Sequence, residues 1–123
     1  MTTPDLLHEA LLGEAAESAF FAVTVYDDDG RLVAANRRAA DLLGYSREEL
    51  LRYDVGAFTE GGFDRNRLLS QSMREGARRV RRKDGSQVAV AFVVAPATLS
   101  GLPYFVAVWW QLADDDPRAA SAP

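Results

Sequence analysis

Val25 to Leu50 read VYDDDGRLVAANRRAADLLGYSREEL, and the fold is decided in this stretch. An apolar strand runs into the acidic turn Asp28-Asp29-Gly30, and Asp29-Gly30 supplies the positive backbone dihedrals that a tight hairpin needs. A short second strand follows over Arg31 to Ala35. Asn36 stands just before Ala39, Ala40, Leu42 and Leu43, an apolar-periodic run, where its side chain can cap the first free amides of a helix. Gly44 suits the left-handed conformation that closes such a helix. Ser46 with Glu49 three positions on is a capping box, so a second short helix starts at once. These three residues are read as structural.

Composition bounds the rest. A chain of 123 residues can bury one core but hardly two. With 48% hydrophobic and 26% charged residues it has the balance of a folded domain, and its net charge of −4 argues against nucleic acid as a partner. The absence of Cys excludes disulfides, thiolate zinc sites and cysteine nucleophiles. The first residues mix apolar and acidic types with no basic start, and no apolar run is long enough to span a bilayer. No membrane association and a cytoplasmic location are expected.

Outward from the opening stretch, the chain divides into three parts. Residues 1–17 hold an amphipathic helix, with Leu6, Leu7, Ala10 and Leu11 as its apolar stripe. Residues 18–113 form the main domain, and 114–123 an acidic, small-residue tail expected to be flexible. Within the domain the reading is a hairpin over Phe20 to Ala35 and helical pieces from Asn36 to about Tyr53. A pliant loop with Gly56, Gly61 and Gly62 and a helix from Asp64 to Glu75 come next. Three strands follow, over about 77–83, 87–96 and 104–112, joined by turns at Asp84-Gly85 and Ser100-Gly101.

The last two strands are apolar on both faces. Val88, Val90, Phe92 and Val94 lie on one side of the first, with Ala89, Ala91 and Val93 on the other. Phe105, Ala107 and Trp109 alternate in the same way with Tyr104, Val106, Val108 and Trp110. A sheet with one wet face would alternate apolar and polar residues, so both faces must be covered. The short helices can cover one. The N-terminal helix, a second subunit, or both must cover the other.

The opening stretch, followed by Arg81-Arg82-Lys83-Asp84-Gly85 and two long apolar strands, resembles a PAS domain over about residues 18–113. PAS domains are small sensory and interaction modules of signalling proteins. The resemblance implies an α+β fold with a five-stranded antiparallel sheet in order 2-1-5-4-3 and short helices on one face. It also implies a pocket between sheet and helices. On the pattern of the light-oxygen-voltage branch, Phe105, Ala107 and Trp109 would face inward, joined by Val90, Phe92 and Val94 and by Thr24 and Tyr26. Phe58, Phe63, Leu68, Leu69 and Met73 would close the pocket from the helical side. The ligand-binding candidates are thus Thr24, Tyr26, Phe58, Val90, Phe92, Phe105, Ala107 and Trp109, against the competing reading of a dry, filled core. The ligand expected is small and apolar or aromatic.

The same resemblance limits cofactors. Haem-binding relatives place an axial histidine on a helix beside the pocket, whereas the single histidine here, His8, lies on the N-terminal helix, and Arg67 to Met73 contain none. Flavin photochemistry in relatives uses a reactive Cys and a Gln on the last strand. This chain has no Cys, and Trp109 stands at the Gln position. No cofactor is expected, with non-covalent flavin the nearest candidate among known ones. In place of the family's frequent exit into a coiled-coil helix stands Gln111-Leu112-Ala113-Asp114. The chain is then either a free-standing module acting through partners or a piece of a longer signalling protein with an output domain.

The charged runs read as surface features. Arg78-Arg79 and Arg81-Arg82-Lys83 fall on a sheet-edge strand, where charge discourages unwanted strand pairing. They lack the interleaved aromatics of a nucleic-acid surface. Asp27-Asp28-Asp29 has no Glu at calcium-loop distance and is read as a turn. A small enzyme with a cone-shaped pocket, cyclase-like or isomerase-like, is the second functional reading. It needs a general acid or base in the cavity, and the expected polar groups there are only Thr24, Tyr26 and Gln111, so no enzymatic activity is expected. A homodimer is expected through Leu6, Leu7, Ala10 and Leu11 together with Ala91, Val106, Val108 and Trp110 on the outer sheet face.

Overall fold

The computed structural model describes residues 3–58 and 74–123. Helix α1 (Thr3–Glu17) leads into the hairpin β1 (Ala22–Asp27) and β2 (Leu32–Ala35). Helices α2 (Arg37–Leu43) and α3 (Arg47–Leu50) and a 3₁₀ turn (Val55–Ala57) follow. The chain then builds β3 (Arg74–Arg81), β4 (Gln87–Leu99) and β5 (Leu102–Gln111), and ends in α4 (Pro117–Ser121). All strand pairs are antiparallel and the order is β2-β1-β5-β4-β3, the α+β architecture expected from the sequence.

Local chemistry sets the connections. Gly30 at φ 83° turns β1 into β2, and the Asp27 carboxylate accepts from the amides of Asp29 and Arg31 at 2.9 Å each. Asn36 caps α2 and Gly44, at φ 78°, closes it in the left-handed conformation. The capping box of Ser46 and Glu49 is complete. Ser100 and Gly101, both at positive φ, make the two-residue turn between β4 and β5.

Asn36 is more than a cap. Its carbonyl oxygen accepts from the amides of Ala39 at 3.1 Å and Val23 at 2.9 Å. Its amide group donates to the carbonyls of Ala16 at 2.7 Å and Phe21 at 2.9 Å. Two donors and two acceptors are therefore all used, at a residue only 4% exposed. This one side chain joins α2, β1 and the end of α1.

The core lies between the helical side and the inner sheet face. Phe105, Leu50, Val90 and Thr24 are its most deeply buried large side chains. Burying each apolar one contributes on the order of 1.5–3 kcal/mol. The outer face is only partly covered: Val106, Val108 and Trp110 are half-buried. Phe21 packs edge-on against Trp110 with ring centroids 6.0 Å apart.

Four expectations are corrected. Leu6, Leu7, Leu11 and Leu12 of α1 are each more than half exposed, so α1 is not a lid on the sheet. The apolar surface of α1 is also wider than the expected stripe: Leu6, Leu7, Ala10 and Leu11 fall within about 140° of helix surface, and Leu12 adds apolar area about 120° to the other side of Leu6. Arg74 and Glu75, read as the end of a helix, belong to β3, which starts earlier than expected because they pair with Val94 and Val93. The rest of that helix, with Gly61, Gly62, Phe63, Leu68, Leu69 and Met73, lies outside the described residues. Finally, the segment read as a flexible acidic tail carries α4, capped by the Asp116 side chain on the Arg118 amide with Pro117 in the first turn. Arg79 donates its backbone amide to the Pro123 carbonyl at 2.9 Å and its guanidinium to Ala122 and Ala119, holding this segment on β3.

Candidate functional site

A cavity of about 120 Å³ lies between the inner sheet face and the helical side. All five strands contribute to its floor. Thr24 and Tyr26 come from β1, Ala107 and Trp109 from β5, and Val90, Phe92 and Val94 from β4. Arg74, Arg78 and Val80 come from β3. Leu32 comes from β2, Leu43, Val55 and Phe58 close the cavity from the helical side, and Phe58 is fixed by edge-on contacts with Tyr45 and Tyr53 at 5.7 and 5.8 Å. The wall is mostly apolar, with polarity concentrated at two opposite sides.

The first polar side is a hydrogen-bonded chain. The Trp109 indole, which can only donate, gives its N–H to Thr24 Oγ1 at 3.2 Å. The Thr24 hydroxyl then donates to the Tyr26 hydroxyl oxygen at 2.9 Å. The chain of donors ends at Tyr26, whose own O–H has no acceptor among the described residues. Burial pushes the Tyr26 phenol above its ordinary value and the Thr24 bond opposes this, so the group is a neutral donor at neutral pH.

The second polar side is the inner face of β3, which reads Arg74, Gly76, Arg78 and Val80 opposite Val94, Phe92, Val90 and Val88. Gly76 makes room for an aromatic ring, because a Cβ there would stand 3.2 Å from Phe92 Cζ. The Arg74 guanidinium lies over that ring, 5.6 Å from its centroid. Arg78 is half-buried, and among the described residues its side chain has neither an ion pair nor a hydrogen bond. No carboxylate is among the described residues that line the cavity.

Of the eight ligand-binding candidates, Thr24, Tyr26, Phe58, Val90, Phe92, Ala107 and Trp109 line the cavity. Phe105 does not: at 1% exposure it fills the core beside the cavity. Leu32, Leu43, Val55, Val80 and the two arginines were missed. Reading 64–75 as a helix hides Arg74, whereas Arg78 is placed on the edge strand but read as a surface charge, although its period-two spacing with Val80 puts it on the inner face. His8 is exposed on α1, away from this wall. Among the dimer candidates, Leu6, Leu7, Ala10 and Leu11 are exposed and Val106, Val108 and Trp110 half-buried. Ala91 is 2% exposed and has no surface left to offer a partner.

The sheet order, the capped α2–α3 segment and a cavity on the inner face are the attributes of a sensory α+β module. The sequence profile of the PAS domain family matches residues 19–109, and the chain belongs to that family of sensory signalling modules. The chain is similar to the PAS domain of an HTR-like protein from Haloarcula marismortui, at 25% identity with a TM-score of 0.76, over 89% of this chain and 97% of that one. It is also similar to a domain of a sensory box sensor histidine kinase/response regulator from Geobacter sulfurreducens, at 19% identity and TM-score 0.73, over 89% and 98%. An RNA-binding light-oxygen-voltage receptor shares the fold at 22% identity and TM-score 0.75, over 89% of this chain and 34% of that one. No curated protein matches the chain by sequence.

Proposed function

We propose that this PAS domain is a non-catalytic sensor that holds a small, mostly apolar ligand in its inner cavity and transmits occupancy through the sheet to a partner subunit. The observation that carries this reading is the cavity of about 120 Å³, apolar over most of its wall and bordered by the Trp109–Thr24–Tyr26 chain. Interiors normally fill to crystal-like density, so a hollow beside such a chain is a place for a guest. An engineered apolar cavity of about 150 Å³ takes up benzene, which sets the scale here near a single ring. The tricyclic flavin is larger than that. The absence of Cys and Trp109 at the Gln position argue against flavin photochemistry, and the reading is of a domain with no cofactor. Against enzymatic activity stands the lining itself, which among the described residues contains no carboxylate or histidine to act as general acid or base.

Dimerisation is proposed through the exposed leucines of α1 and the half-buried outer face around Val106, Val108 and Trp110. Among the described residues no helix is long and apolar enough to cross a membrane, in keeping with work in the cytoplasm beside a signalling partner. Native mass spectrometry of the purified protein tests both parts. A bound species that leaves on denaturation, in particles of twice the chain mass, is the expected result. A bare, monomeric chain at tens of micromolar concentration refutes both. Trp110→Asp combined with Leu6→Ser and Leu11→Ser is the informative interface variant, because removing residues 1–17 would also take away the Ala16 carbonyl that Asn36 needs.

A further inference from the structure

We infer that the cavity selects a compact apolar carboxylic acid, its ring or chain on Phe92 and Val90 and its carboxylate on Arg78. This rests on the reading of the cavity as a ligand site and adds the charge of the guest. The inner face of β3 carries two arginines on one side of an apolar space, and no carboxylate stands among the described residues of its lining. Arg74 is stacked on Phe92. Arg78, half-buried and without an ion pair or side-chain hydrogen bond among the described residues, is the group an anion neutralises. A planar guanidinium pairs with a carboxylate through two parallel hydrogen bonds, and low local polarity strengthens them.

The geometry also orients the guest. Arg78 pairs with Val90 on β4, and Phe92 follows two residues along the same face, so a carboxylate on Arg78 leaves its ring or chain lying on those two side chains. Tyr26 is three strand spacings across the sheet and six residues along it by the strand register, roughly 25 Å between backbones, so it does not face Arg78 across a single ring. A carboxylate pairs the cation, whereas a hydrocarbon leaves it unpaired.

The test uses the whole chain and four probes of similar size: benzoate, 4-hydroxybenzoate, benzamide and toluene. Binding is read by the fluorescence of Trp109, with Trp110→Phe as the background, and by calorimetry. The expected result is that benzoate binds roughly tenfold to a hundredfold more tightly than benzamide. The preference should vanish in Arg78→Met. Equal binding of benzoate, benzamide and toluene overturns the charge assignment while leaving an apolar ligand site standing. Binding by none of the four overturns the site itself. A benzoate preference that survives Arg78→Met places the anion elsewhere and overturns the role of Arg78. Should Arg78→Met fail to fold, the benzoate-to-benzamide ratio of the unaltered protein decides alone.

Discussion

Asn36 and Arg78 are both polar side chains set into the interior, and they are treated in opposite ways. Asn36 spends two donors and two acceptors on four backbone groups of three different elements. Arg78 spends nothing among the described residues, although it borders an apolar cavity. Burying a polar group without partners is costly, so a satisfied one is architecture and an unsatisfied one is either a burden or a contact kept for something else. The contrast separates the half of the molecule that holds the fold from the edge strand that faces the cavity.

Asn36→Ala gives the largest effect. It removes the α2 cap and leaves Val23 N–H and the carbonyls of Ala16 and Phe21 without their partner. A loss of about 3 kcal/mol is expected, from one cap and at least one stranded buried group. Asn36→Asp should rescue little, since a carboxylate cannot donate to the two carbonyls. Urea unfolding measures both, and a loss below about 1 kcal/mol in Asn36→Ala breaks the comparison at its architectural end.

Gly76→Ala comes next. The added methyl meets the Phe92 ring at 3.2–3.3 Å, and the ring can yield only toward the cavity or out from under Arg74. Stability should move by about 1 kcal/mol or less, while uptake of any single-ring probe falls as the space narrows. A stability loss well beyond that, with probe uptake unchanged, would show that Phe92 is wedged rather than bordering free space.

Arg78→Met probes the other end of the comparison. It replaces a half-buried cation with an apolar chain of similar length, so the ligand-free domain should be unchanged within about 0.5 kcal/mol or slightly more stable. A loss of more than about 1.5 kcal/mol would mean that Arg78 supports the fold as Asn36 does.

How legible these features are in the sequence follows from the range of the interactions behind them. The turn at Gly30, the Asn36 cap, the Gly44 stop and the Ser46–Glu49 box are local, and each is written in adjacent residues. Six of the seven candidates that line the cavity, all but Phe58, lie on strands and follow from alternation once the sheet order is assumed. What was hidden is non-local. The start of β3 at Arg74 depends on pairing with Val94, twenty residues further along the chain. The α4 segment depends on Arg79 reaching Ala119, Ala122 and Pro123. Its own residues show no apolar period, so only the tertiary contact reveals it. The exposure of α1 was hidden for the converse reason: a run of leucines signals a helix but does not say which surface, if any, it meets.

The smallest effect is a pH dependence at the α3 end. The Glu49 carboxylate accepts from Lys83 Nζ at 2.6 Å and from the Ser46 amide at 3.0 Å. First Lys83 and then Ser46 hold it at about 2, down from an ordinary 4.5. Because the folded-state value is depressed, its contribution is fully present above 4.5 and is lost as pH falls toward 2. Lys83 has the opposite sign: its value is raised, chiefly by Glu49, so its share is present at neutral pH and fades only in strong alkali. Asp84 and Asp116, also lowered, by Ser86 and Arg118, add to the same acid limb and blunt the effect of any one change. Glu49→Gln keeps an acceptor for Ser46 but removes the charge that pairs with Lys83. It should reduce proton uptake on unfolding between pH 4.5 and 2 by about one proton, with little change at pH 7 once salt screens the exposed pair. Denaturant midpoints across that interval read the difference directly. An acid limb identical to that of the unaltered chain would mean that the Lys83–Glu49 contact does not tie α3 to the β3–β4 turn in solution.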